Sequence, residues 1–71
     1  MELLILKTNI NNKRQVKTVA PLLNRQARIA RWNIDLHDVD KILRIEAAEL
    51  HADTVVQLIT EAGFFCEELH D

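Results

Sequence analysis

The sequence predicts an α+β domain in which two helices cover one face of a four-stranded antiparallel sheet, in the order βαββαβ. Three observations lead there. Two segments carry apolar residues at helical spacing, and four shorter ones carry them as compact runs or with period two. Both helical segments are apolar on one side only, so each needs a sheet to lie on. With 48% hydrophobic residues and a single Gly and a single Pro, the chain has the composition of a compact domain with short connections.

The elements follow in order. Residues 3–8 are apolar and end in polar residues, which predicts a buried strand with Leu4 and Leu6 on one face and Leu3 and Ile5 on the other. Apolar residues on both faces place it at the centre of the sheet. From Lys13 the period changes: Val16, Val19, Ala20 and Leu23 form a helical stripe, with Lys13, Arg14 and Lys17 on other faces and Asn12 as N-cap. Pro21 removes one bond of the helical ladder, so a kink or tightening is expected near Ala20, with "PLLNR" finishing the helix. In "ARIARWNIDLHD", Ala30, Trp32, Ile34 and Leu36 alternate with Arg31, Asn33 and Asp35, the pattern of a strand with one wet face. After the turn "HDVDK", residues 41–46 form its hairpin partner, with Leu43 and Ile45 facing in. "HADTVVQLITEAG" is a second amphipathic helix with a stripe of Val55, Val56, Ile59 and Ala62, acidic Asp53 in its first turn and Gly63 at its end. "FFCEEL" is a last short strand. The economical packing of these six is the ferredoxin-like sandwich of two right-handed split βαβ units, leaving one sheet face open.

Seventy-one residues make one domain, residues 1–71, near the lower size limit for a self-sufficient core, so a partner surface or a homodimer follows from size alone. No run is long enough to span a bilayer, and the start lacks the basic region and cleavage site of a signal peptide, which predicts a cytoplasmic protein and no membrane partner. The lone Cys66 cannot form an internal disulfide or a two-thiolate metal site. The net charge of −2 divides along the chain: residues 1–31 hold seven Lys/Arg against one acid, and residues 32–71 hold two against ten. Such a division steers partners toward one side.

On these residues the chain resembles the heavy-metal-associated domain family of copper chaperones and metal-ATPase modules, over nearly its whole length. That family carries M-x-C-x-x-C between the first strand and the first helix. With Val16, Val19 and Leu23 set on the family's helix, Ile10 falls at the Met position, Asn12 at the first Cys and Gln15 at the second. "EAGF" at residues 61–64 is similar to the family's E-A-G-[YF]. "KTNI", followed by V-x-x-V-x-P-x-L-N at residues 16–24, and "DKIL" at residues 40–43 are similar to small stand-alone members. The resemblance implies the fold. The loop departs from it in chemistry: Cu(I) and similar soft ions require deprotonated sulfur, and Asn12 and Gln15 offer neutral amide oxygens. Loss of the soft-metal site is therefore expected, with no cofactor, while Asn12 still caps the helix and Ile10 still fills the core. The resemblance also implies that the basic first helix, here Lys13, Arg14 and Lys17, faces partners, so docking to an acidic protein surface or to the acidic half of another copy is expected.

Other sites are weaker. His37, Asp38 and Asp40 in the hairpin, and His51 with Asp53 at the second helix, are ordinary turn and cap residues before they are metal ligands. A carrier using His and carboxylate ligands, or Cys66 from two copies, is the alternative reading. A third is a homodimer through the open sheet face, where Leu3, Ile5, Ile42 and Phe65 would form an apolar patch rimmed by Arg31, Arg44 and Glu67. Cys66 shares the side of Phe64 and is expected in the core, as is Trp32. An acidic chain without an exposed aromatic run does not suggest a nucleic-acid binder. With no phosphate loop, no Ser/His/Asp grouping and no paired carboxylates, catalysis is not expected.

Overall fold

The computed structural model describes residues 1–69. It contains β1 (Glu2–Thr8), α1 (Lys13–Asn24), β2 (Ile29–Ile34), β3 (Leu43–Ala47), α2 (Ala52–Glu61) and β4 (Cys66–Glu68), the order expected. The strands form one sheet in the spatial order β2-β3-β1-β4, with every neighbouring pair antiparallel. β1 is central, as its two apolar faces require. Its even residues, Leu4, Leu6 and Thr8, are buried beneath the helices, whereas Leu3 is 59% exposed on the opposite face.

The core lies between the sheet and the helices. Leu4 and Leu6 of β1 meet Val19 and Leu23 of α1, Leu43, Ile45 and Ala47 of β3, Val55 and Ile59 of α2, and Cys66 of β4 in one buried cluster. Val16, Trp32, Ile34, Val56, Ala62 and Phe64 pack around it, so both helical stripes face in. Burial of large aliphatic side chains at about 25 cal/mol per Å² is the main driving force for the arrangement. The expected placement of Cys66 and Phe64 on the helix side therefore holds.

Four details differ from what the sequence predicts. In β2 the alternation is broken: Ile29 pairs with Ala47 but Arg31 pairs with Glu46, so Ala30 is an extra residue in a β-bulge. Ile29, Trp32 and Ile34 thus share the helix side, while Ala30 is exposed and Leu36 lies beyond the strand. Bulging cannot be seen in a period-two pattern, because it changes the parity of the pattern. Strand β3 begins at Leu43, since Lys41 has a left-handed backbone with φ 47° and ends a loop. Ile42, expected on an exposed patch, is only 6% exposed. The β1–β3 ladder ends at the Leu6 and Leu43 pair, and its next step sets Ile42 beside Lys7, outside the helix-side cluster. The last strand is limited to Cys66–Glu68, shorter than the run "FFCEEL".

The ends of α2 show how sequence fixes local structure. Gly63 has φ +96°, the Phe64 N–H bonds the Ile59 carbonyl at 3.2 Å, and the Gly63 N–H bonds the Thr60 carbonyl at 3.0 Å. This is a Schellman end, whose left-handed residue is usually glycine because a β-carbon strains that backbone. Helix α1 runs past Pro21, which is exposed, to Asn24, and the Arg25 N–H closes it on the Pro21 carbonyl.

Candidate functional site: the β1–α1 loop

The loop between β1 and α1 is anchored from both sides. Thr8, the one buried polar residue of the described chain, donates its hydroxyl to the Lys41 carbonyl at 2.7 Å and accepts from the Ile10 N–H at 3.2 Å. Its own N–H bonds the Asp40 carbonyl at 3.1 Å, which holds the β2–β3 loop against the end of β1. Ile10 is fully buried in the core cluster, so it is the hydrophobic anchor expected of it. Asn9 accepts from the Phe65 N–H at 2.9 Å and ties the loop to the start of β4.

Asn12 and Gln15 form a reciprocal cap. Asn12 is the N-cap of α1, with extended backbone, and its Oδ1 accepts from the Gln15 N–H at 2.9 Å. Gln15 reaches back, and its Oε1 accepts from the Asn11 N–H at 2.7 Å. The pair behaves as a capping box displaced by one residue, since the returning bond goes to the residue before the N-cap. Both amide oxygens are engaged by backbone N–H groups. Asn12 was expected as the cap; the return bond from Gln15 was not, nor were the roles of Thr8 and Asn9, which bond to residues more than thirty positions away.

Beside this cap, Lys13, Arg14 and Lys17 are all exposed. No acid lies in the first turn of α1, and among the described residues none of the three cations forms an ion pair. Lys13 and Arg14 sit in the first turn, where a cation opposes the helix dipole by roughly 0.3–1 kcal/mol; Lys17 lies a turn further on. The placement is thus unfavourable for the helix itself.

The other candidate ligands lie in the β2–β3 loop and at the start of α2. Asp35 accepts from the His37 N–H at 3.0 Å and Asp38 from the Asp40 N–H at 2.8 Å, so both carboxylates close turns. Asp40 pairs with Lys7 at 3.4 Å. His51 is the N-cap of α2 without a side-chain cap bond. Among the described residues no three of His, Cys, Asp and Glu converge on a point where an ion could be held. Cys66 is buried, and desolvation pushes its thiol up to about 11 from an ordinary 9.0, which keeps it protonated and unreactive at neutral pH. The Trp32 indole N–H donates to Asn24 Oδ1 at 2.9 Å, joining the edge strand to the end of α1. No helix of the described residues is long and apolar enough to cross a membrane.

Compared with solved structures, the chain matches the yeast copper transporter domain Ccc2a, studied in apo and Cu(I)-loaded states, with a TM-score of 0.84, 23% identity and coverage of 100% of this chain and 99% of that one. The Atx1–Cu(I)–Ccc2a complex matches at 0.83, again with 23% identity over 100% and 99% of the two chains. This chain has the fold of those copper-handling domains. The CsoZ metallochaperone matches at 0.76, with 13% identity over 97% of each chain. No family model matches the chain, and no curated protein matches it significantly. The ferredoxin-like architecture, and the resemblance to heavy-metal-associated domains, are thus supported at the level of the fold.

Proposed function

We propose that this protein is a non-enzymatic, metallochaperone-like module that does not bind Cu(I) at its β1–α1 loop and acts through protein contacts. The observation that carries this reading is the reciprocal cap. At the two positions where the resemblance places metal-binding sulfurs, Asn12 and Gln15 present amide oxygens already bonded to backbone N–H groups. A soft ion would meet two hard, engaged acceptors in place of thiolates.

Lys13, Arg14 and Lys17 are the docking residues. Their exposure, the lack of ionic partners among the described residues and the cost of holding cations at a helix N-terminus all favour an acidic partner surface, which would relieve that cost. That one of the structural matches is Ccc2a in a complex with Atx1 and Cu(I) supports a protein as the partner class. A cytoplasmic site of action fits the same reading. Anaerobic titration with Cu(I) is expected to give no tight stoichiometric site, and a submicromolar one would sink the proposal. Pull-downs with Lys13→Glu/Lys17→Glu are expected to lose salt-sensitive partners; an unchanged set would remove the docking assignment.

A further inference from the structure

The sheet face turned away from the helices carries a second feature that the docking reading does not use. The ladders set Leu3 and Ile5 of β1 on this face, and Leu69, whose N–H bonds the Ile5 carbonyl at 2.9 Å, continues the β4 ladder beside them. Leu3 is 59% and Leu69 38% exposed, so the centre of the face is an apolar strip. Charges flank it asymmetrically. Arg44 of β3 pairs in register with Ile5 on one side, and Glu67 of β4 pairs with Lys7 on the other. Both are exposed, and neither forms an ion pair with another described residue. The other charges here are matched: Arg31 with Glu46 at 2.6 Å and Lys7 with Asp40 at 3.4 Å.

We propose that this open sheet face binds a second copy of the chain, in a two-fold dimer whose axis runs parallel to β1, with Arg44 of each copy paired to Glu67 of the other. A two-fold axis in that direction keeps each level of the strand opposite itself and exchanges the β3 side with the β4 side. Leu3 and Ile5 then meet their own equivalents, as does Lys7, which is already paired with Asp40. The cationic flank of one copy lies over the anionic flank of the other. Arg44, level with Ile5, is offset from Glu67, level with Lys7, by two residues or about 7 Å along the strand, which the long guanidinium side chain spans. The symmetry makes the ion pair twice. An axis across the strands would instead place β3 over β3 and oppose like flanks. A second copy is thus the occupant whose charges this face already complements. Phe65, 46% exposed and two residues from Glu67, extends the contact at its margin.

The test is sedimentation velocity on the full chain from micromolar to near-millimolar concentration. The wild type is expected to pass from monomer to dimer, and Leu3→Glu to stay monomeric with an unchanged circular dichroism spectrum. Arg44→Glu and Glu67→Arg, both at exposed positions, should each weaken the dimer on the order of tenfold, through two lost pairs and new repulsion. Combining them should restore wild-type affinity to within about threefold, since the charges are then only exchanged. A wild type that remains monomeric throughout overturns the proposal. So does a dimer that the single reversals leave intact or the double reversal fails to restore. Lys13→Glu/Lys17→Glu lies on the helix side and should leave the dimer unchanged, so failure of the docking reading and failure of this one are separately visible.

Discussion

If the β1–α1 loop is a metal loop whose ligands have been replaced, returning sulfur to it should return the chemistry. The perturbation is Asn12→Cys together with Gln15→Cys. In the metal-free protein this removes two hydrogen bonds, Asn12 Oδ1 to the Gln15 N–H at 2.9 Å and Gln15 Oε1 to the Asn11 N–H at 2.7 Å. The first is an N-cap, worth about 1 kcal/mol. The second is an exposed bond at the same helix end and adds about 0.5–1 kcal/mol. The apo variant should therefore be less stable by about 1.5–2 kcal/mol, which for a domain of this size lowers Tm by roughly 6–16 °C. Ile10 and Thr8 keep the loop anchored, so the backbone that would present the two thiols persists. Two thiolates one helical turn apart then offer a soft ion the sulfur it requires, and binding stabilises by about 4 kcal/mol when free metal exceeds Kd a thousandfold. Differential scanning calorimetry under anaerobic conditions, with and without Cu(I), reads both effects. A variant that folds, is destabilised as calculated and still gains no stability from Cu(I) would refute the assignment of Asn12 and Gln15 to the metal positions. A variant with undiminished apo stability would refute the reciprocal cap.

Two further predictions concern the rest of the domain. Gly63→Ala should cost about 1–2 kcal/mol through backbone strain alone, because φ is +96° and no atom lies within 4 Å of the β-carbon it would add; chemical denaturation should show a lower midpoint with an unchanged slope. For Cys66, the folded thiol holds its proton up to about 11 against 9.0 for the ordinary group. Its contribution to stability is therefore complete below pH 9.0 and is lost as pH rises toward 11, by up to about 3 kcal/mol. Urea unfolding across that window should show this decline in the wild type and a shallower one in Cys66→Ala; equal slopes would contradict the burial of the thiol.

Several parts of this fold were legible because they depend on neighbours in sequence. The Asn12 N-cap needs only a short polar residue ahead of a helical stripe, and the end of α2 needs only Gly63 after one. The central place of β1 followed from apolar residues at both odd and even positions. The bulge at Ala30 was not legible. Its cause is the pairing with β3, where Ala47 must face Ile29 while Glu46 faces Arg31, and one strand alone carries no trace of that choice. Ile42 was misread as exposed for a related reason: it lies before β3, next to the Lys41 that Thr8 bonds, so strand alternation does not govern its burial.

The sequence by itself determined the element order, the two helix stripes, the core side of β1, β3 and β4 and the absence of a second thiol near Cys66, because these rest on residue type and period. Tertiary structure decided what the β1–α1 loop does with its polar groups. Thr8 and Asn9 find their partners at Lys41 and Phe65, far along the chain, and this fixes the backbone on which Asn12 and Gln15 close on each other. It also decided which charges at the rim of the open face are matched: Arg31 pairs with Glu46, while Arg44 and Glu67 form no ion pair among the described residues. Hydrogen bonds and charge pairs act over a few ångströms in space, so only the folded chain shows which of them are made.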